Sequence, residues 1–256
     1  MMTDTANTFN TSNASVNTDT SADSYLATTP MLDYQHPAIQ QLIQQQGWHQ
    51  LDTRQQIAEV YRFVRDDIRF GYNADDSLSA SKVLSDGYGQ CNTKGTLLMA
   101  LLRALGIPAR FHGFTIYNEL QKGAIPLWMF AFAPARILHS WVEIYYDGRW
   151  LEIEGYIIDQ PYLQQVQKAF ASECEAFSGY GIATPCLQKP QNDWQGGNTY
   201  IQKEGIADDY GVYNTPDEFY AAMGTNLRGL KRILYRYLLR YLMNINVRKI
   251  RRAGIR

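Results

Sequence analysis

Across 256 residues there is no uninterrupted apolar run of the ~18–20 residues that a membrane-spanning helix requires. Cysteine is scarce: Cys91, Cys174 and Cys186 are an odd, widely spaced set, which argues against a disulfide framework and for a reducing cytoplasm. Four scattered histidines offer no metal-ligand spacing, so neither a metal nor a cofactor is expected. Met1–Asp33 contains no Lys or Arg and no apolar stretch of leader length, which excludes a signal peptide as written. Its Thr, Ser, Asn and Asp cannot bury enough apolar surface to offset chain entropy, so residues 1–30 read as a disordered tail. Acidic residues are absent from Asn226 to Arg256, where ten Lys and Arg fall. The total charge of −1 therefore conceals a body with 14 basic and 25 acidic residues, net −11, joined to a tail of +10.

No internal repeat is visible. His36–Gly47 has Ile39, Leu42 and Ile43 at helical spacing. A second helix, capped by Asp52 or Thr53, carries Ile57, Val60, Tyr61, Val64 and Ile68 on one face. Phe70-Gly-Tyr-Asn73 breaks into a polar loop, and a short helical piece, Ser81–Asp86, leads to Gly87-Tyr-Gly-Gln-Cys91. From Cys91 the spacing predicts a strong helix with a leucine stripe at Leu97, Leu98, Leu101, Leu102 and Leu105, stopped by Gly106 and Pro108. Strands are predicted over Ala109–Tyr117, Leu138–Tyr146 and Arg149–Ile158, the last two joined by Asp147-Gly148 as a type I′ hairpin. Asp159–Gly224 yields only a weak helix over Tyr162–Phe170, and a final helix spans Asn226–Asn244.

Cys91 sits within one turn of a helix N-terminus, where unpaired N–H groups and the helix dipole stabilise a thiolate. Gly87 and Gly89 before it would let a substrate backbone approach. A buried, inert cysteine fits the same spacing, so the hairpin matters. With a two-residue loop, paired positions sum to 295. His139 then opposes Tyr156, Trp141 opposes Glu154, and Glu143 opposes Glu152. Ser140, Val142, Ile144, Leu151 and Ile153 form a core face. The opposite face carries His139, Trp141 and, diagonal to the imidazole, Glu154, which can orient the ring and stabilise its cation. Glu143 and Glu152 read as a solvated pair.

Gly89-Gln-Cys91, the run Leu101-Leu-Arg-Ala-Leu-Gly-Ile-Pro-Ala-Arg110, Gly113, His139-Ser-Trp-Val-Glu143 and Gly148-Arg-Trp150, in that order, resemble the transglutaminase-like superfamily. The resemblance covers about Ile57–Glu154. It implies an α+β, papain-like fold with a cysteine-headed helix packed on an antiparallel sheet, and it puts the nucleophile on Cys91 and the base on His139. The third member, an Asp in the family, falls on Glu154, one methylene longer. The implied activity is thiol-dependent acyl transfer on a peptide, protein or carboxamide substrate. A cysteine protease or amidase leads, with a protein-glutamine transglutaminase or deamidase, or an inactive peptide-binding scaffold, as alternatives. The Cys91 N–H would meet the oxyanion, with Gln90, Tyr72 and Asn73 as candidates for a second donor.

The apolar insertion Ala124–Pro134, with Trp128, Met129, Phe130 and Phe132, is either a buried element or a wall over the cleft; Trp128, Phe130 and Trp141 are the candidate substrate contacts. In the tail, Arg228, Arg232, Arg236 and Arg240 recur every four residues beside an apolar face of Leu227, Leu230, Leu234, Leu238, Tyr241 and Leu242. Such a helix suits an anionic membrane surface, an acidic protein partner, or the protein's own acidic body. No base-reading motif accompanies the charge, which argues against nucleic acid. Val247–Arg256 reads as a solvated, frayed tip. The expected organisation is a tail over 1–30, a catalytic core over 31–158, an irregular extension over 159–225 packed on the core, and a basic helix and tail over 226–256.

Overall fold

The computed structural model describes residues 24–130, 133–171 and 174–255. The N-terminal tail to residue 23 and Phe132 lie outside the described residues. The chain runs α1 (Pro37–Gln46), α2 (Thr53–Arg62), β1 (Arg69–Phe70), α3 (Ala80–Asp86), β2 (Tyr88–Gly89), α4 (Cys91–Ala104) and β3 (Ala109–Tyr117). It continues through α5 (Leu127–Phe130), β4 (Arg136–Tyr146), β5 (Arg149–Ile153), α6 (Gln160–Ala169), β6 (Phe177–Gly179), β7 (Ile182–Thr184) and β8 (Ile206–Tyr213). Three helices follow: α7 (Pro216–Met223), α8 (Gly229–Leu234) and, after a π-helical turn over Tyr235–Leu239, α9 (Arg240–Ala253). The class is α+β, as expected.

The central sheet is antiparallel, in the order β5-β4-β3-β8. Asp147 and Gly148 both take positive φ, as a type I′ turn demands, and Tyr146 pairs with Arg149 in the expected register. The ladder ends at Val142–Ile153, however, and the chain then turns away from β4. The predicted strand to Ile158 is thus too long. Tyr156 turns into the core, where its hydroxyl donates to the Cys91 carbonyl at 3.3 Å.

α4 lies across this sheet and is buried on every side from Cys91 to Arg103, which is why its sequence is more apolar than a one-faced helix requires. Its polar residues are satisfied internally: buried Lys94 donates to the carbonyls of Arg65 and Ile157, both at 3.0 Å. Arg103 donates to the carbonyls of Ala27, Ala109 and Asn214. That anchor corrects the reading of disorder at its C-terminal end. Residues 24–30 lie on the core, with the Tyr25 carbonyl accepting from Ala109 and the Tyr25 ring against Trp150.

Three further expectations are corrected. Cys174 and Cys186 form a disulfide, with Cα atoms 4.7 Å apart, which removes the ground for assigning a reducing compartment. Glu143 is not solvated: it is buried and paired with Arg110 and His112, while Glu152 accepts from Tyr200. The tip of the tail is not frayed either. Val247 and Ile250 are buried, and Arg251 grips the Asp159 carboxylate at 2.6 Å. Among the described residues no helix is long and apolar enough to cross a membrane.

Candidate active site

Cys91 occupies the first turn of α4, with its backbone N–H among those that have no intrahelical acceptor. The chain reaches it through a parallel pairing of β1 with β2, Arg69 opposite Tyr88 and Phe70 opposite Gly89. The two glycines before the nucleophile have different structural roles, Gly87 a backbone turn and Gly89 a close approach. Gly87 ends α3 in the left-handed region at φ +67°, and a Cβ on Gly89 would come within 2.7 Å of the Thr93 hydroxyl.

His139 is fully buried on β4. Its Nε2 meets Glu154 Oε1 at 2.8 Å, and its Nδ1 has no hydrogen-bond partner, leaving that nitrogen for the thiol. Burial disfavours the imidazolium. The interactions with Cys91 and then with the Glu154 carboxylate outweigh it, holding the imidazole up to about 10. Asn92 joins the two elements. Its Nδ2 donates to the Leu138 carbonyl at 3.1 Å and its Oδ1 accepts from Ser140 Oγ at 2.9 Å, so both neighbours of His139 are tied to the helix residue after Cys91.

Glu154 is held by a part of the chain that pattern alone does not fold. Its Oε2 accepts from the backbone N–H groups of Ile201 and Gln202, each at 2.9 Å, and its own N–H donates to the Thr199 carbonyl. The extension over 159–225 thus supplies the clamp on the acid. Asn92, Ile201 and Gln202 escaped the sequence reading. Backbone donors leave no side-chain signature, and an Asn after a Cys reads as an ordinary helix-start residue.

The candidate oxyanion donors divide. Gln90 is committed on both side-chain atoms: Nε2 donates to Asp76 at 2.9 Å and Oε1 accepts from the Asn73 N–H at 3.0 Å. Asn73 is buried and bonded to Asp86, Tyr88 and Thr93. Tyr72 shares a cavity with Cys91, and its hydroxyl donates to Gln121 Oε1 at 2.5 Å. Burial and then the charge of Cys91 push its ionisation far up, so it remains a donor at physiological pH.

That cavity, of about 380 Å³, is walled by Ile116, Ile137, Leu138 and Met129 and roofed by Leu234, Tyr235 and Leu239 of the tail. Trp128 of the insertion lines it. Phe130 does not; it packs against the core, with its ring 5.7 Å from Lys122 Nζ. Trp141 is also elsewhere, buried between Phe114, His112 and Tyr200. No cluster of side chains among the described residues could hold a metal ion.

A cysteine-headed helix against an antiparallel sheet that delivers a histidine and an acid defines the papain-like class of fold. Residues 40–155 match the sequence model of the transglutaminase-like superfamily, Transglut_core, so the likeness seen in the motifs holds, and it supports a protein of the cysteine-enzyme kind. No curated protein matches the chain. A solved structure of a candidate cysteine protease from Cytophaga hutchinsonii aligns with a TM-score of 0.43 at 12% identity, covering 79% of this chain and 50% of that one. The chain therefore spans about half the length of that protein.

Proposed function

We propose that the protein is a thiol-dependent amide hydrolase, a cysteine protease or amidase, acting through Cys91, His139 and Glu154. The observation that carries this reading is the buried His139 Nε2–Glu154 contact of 2.8 Å with Nδ1 left unpartnered beside the thiol. The Cys91 sulfur attacks the carbonyl carbon, forming a C–S bond, after its proton has passed to His139. The oxyanion meets the Cys91 N–H, and the Tyr72 hydroxyl is the proposed second donor, which requires its one proton to turn from Gln121 Oε1 to the oxyanion. Collapse breaks the C–N bond, and the amine departs with the proton from His139. Water then attacks the thioester, its proton taken by His139; the C–S bond breaks, the acid is released, and the Cys91 sulfur leaves with the proton on His139 available to it. The apolar walls around Cys91 support a peptide or amide substrate with a large apolar group beside the scissile carbonyl.

Alkylation by iodoacetamide at about pH 6 tests the nucleophile. Cys91 is expected to react rapidly, and to slow strongly in His139→Ala; equal rates in the two proteins would reject proton transfer from Cys91 to His139. A screen of peptide, glutamine and isopeptide substrates, with apolar and charged groups next to the carbonyl, tests the reaction. Release of free acid is expected from the apolar set. Amine incorporation without hydrolysis would favour the transglutaminase alternative, and no turnover by a protein whose Cys91 labels normally would favour the scaffold.

A further inference from the structure

The helical segment from Gly229 to Ala253 is apolar on two sides, and only one of them is used. Tyr235, Val247 and Ile250 face the body: the Tyr235 hydroxyl donates to the Asn73 carbonyl at 3.0 Å, and the other two are buried. The opposite stripe, Leu230, Ile233, Tyr237, Leu238 and Tyr241, is at least half exposed at every position, with Leu230 at 80%. α8 and the π turn bury no residue at all. Leu127 and Trp128 add an exposed apolar edge across the cavity mouth, at 82% and 56%. A stripe of this kind left in water is a binding surface.

The charges around it identify the occupant. No acidic residue occurs after Glu218, and among the described residues Arg228, Lys231 and Arg236 are exposed without an ion-pair partner. A symmetric second copy would set these cations against themselves, which is repulsive. An anionic lipid surface instead takes leucine and isoleucine into its acyl boundary, tyrosine and tryptophan at headgroup depth, and arginine and lysine at its phosphates. The net negative body turns the rest of the molecule away from such a surface.

We propose that the outer face of residues 228–241, together with Leu127 and Trp128, docks the protein on an anionic membrane. Docking sets the mouth of the Cys91 cavity on the lipid, since Trp128, Lys231 and Leu234 belong both to the cavity wall and to the exposed face. In combination with the hydrolase reading above, the substrate is then one carried at the membrane. The docking itself does not depend on catalysis.

The test uses the full chain carrying Cys91→Ala, so that a failure of the catalytic reading cannot affect it. Co-sedimentation is measured with vesicles of phosphatidylcholine alone and of phosphatidylcholine mixed with phosphatidylserine. Binding is expected to the mixed vesicles, to fall at least tenfold in high salt, and to fall as far in Leu230→Ser/Tyr237→Ser, whose substituted side chains are exposed and leave the core intact. Trp128, exposed while Trp48, Trp141 and Trp194 are buried and Trp150 is half-buried, is expected to shift its fluorescence to the blue on the mixed vesicles, a shift that Trp128→Phe removes. Absence of binding to the mixed vesicles overturns the proposal. So does binding that the double substitution leaves unchanged, and so does a dimer in solution that it dissolves while vesicles are not bound.

Discussion

At the residue scale, the site depends on which way Glu154 presents its oxygens. Two backbone N–H groups, of Ile201 and Gln202, require an acceptor at Oε2, so the other oxygen is directed at His139. In Glu154→Gln the amide oxygen stays with those two donors and the NH2 group turns to Nε2, which can then only accept. The ring loses the tautomer that donates to Glu154 and loses support for its cation. If the chain hydrolyses amides as proposed, kcat is expected to drop by about 10²- to 10⁴-fold with KM little changed, measured on the best substrate of the screen. A second prediction concerns His112. Burial works against its charge, but hydrogen bonds to Glu143 and Asp209 outweigh it and raise its pKa above the ordinary 6.5. A raised histidine contributes stability that is fully present below 6.5 and is lost as pH rises through the folded value. Histidine ring resonances followed by NMR are expected to show a raised midpoint that falls toward 6.5 in Glu143→Gln; an unchanged midpoint would contradict the pairing.

At the scale of elements, glycine decides how closely β3 and α7 meet. A Cβ on Gly113 would lie 2.2 Å from the Phe219 ring, and that ring also packs on Phe111 and Tyr220. Gly113→Ala is expected to cost about 1–3 kcal/mol in urea-unfolding experiments, because the Phe219 ring is held by Phe111 of β3, Tyr213 of β8 and Tyr220 of α7, which cannot all shift. Phe219→Leu in the same background should recover part of the loss. The regularity of α4 and the hairpin was legible because apolar spacing, a left-handed cap and an Asp-Gly turn are local signals. β8 was not. It joins the sheet beside β3 across two register shifts, and its Ile206–Tyr213 sequence is half exposed and rich in aspartate and tyrosine, so no alternation marks it.

At the scale of the whole molecule, the separation of charge is partly internal wiring. Arg232 pairs with Asp75 and Arg251 with Asp159, while Asn244 exchanges hydrogen bonds with the Tyr72 backbone. Asp159 is the hub: it also accepts from the N–H groups of Phe70 and Tyr162, and caps α6. Burial would raise its pKa, but Arg251 and then Lys94 hold it below the ordinary 3.8. A depressed carboxylate contributes stability that is present above 3.8 and is lost as pH falls through its folded value. Arg251→Met leaves a buried carboxylate short of its cation and is expected to cost about 3 kcal/mol at neutral pH, read by thermal or denaturant unfolding. The deficit is expected to shrink under acid conditions, where Asp159 is protonated in both proteins. A deficit independent of pH would assign Arg251 a packing role only.

The sequence by itself determined the leucine helix behind Cys91, the hairpin register, the candidate nucleophile and base, and the division into an acidic body and a basic tail. Each is written in neighbouring residues: a helical period, a two-residue turn, a run of one charge. Tertiary structure alone decided what holds Glu154, which donors are spent and which remain near Cys91, and which side of the tail helix meets the body. Those outcomes rest on backbone groups and on contacts between segments far apart in the chain. The tail shows the difference most clearly. Its period revealed an apolar face of Leu227, Leu230, Leu234, Leu238, Tyr241 and Leu242, and folding left Leu230, Leu234, Leu238 and Tyr241 of that face exposed because Tyr235, Val247 and Ile250 on the other side pack against the body.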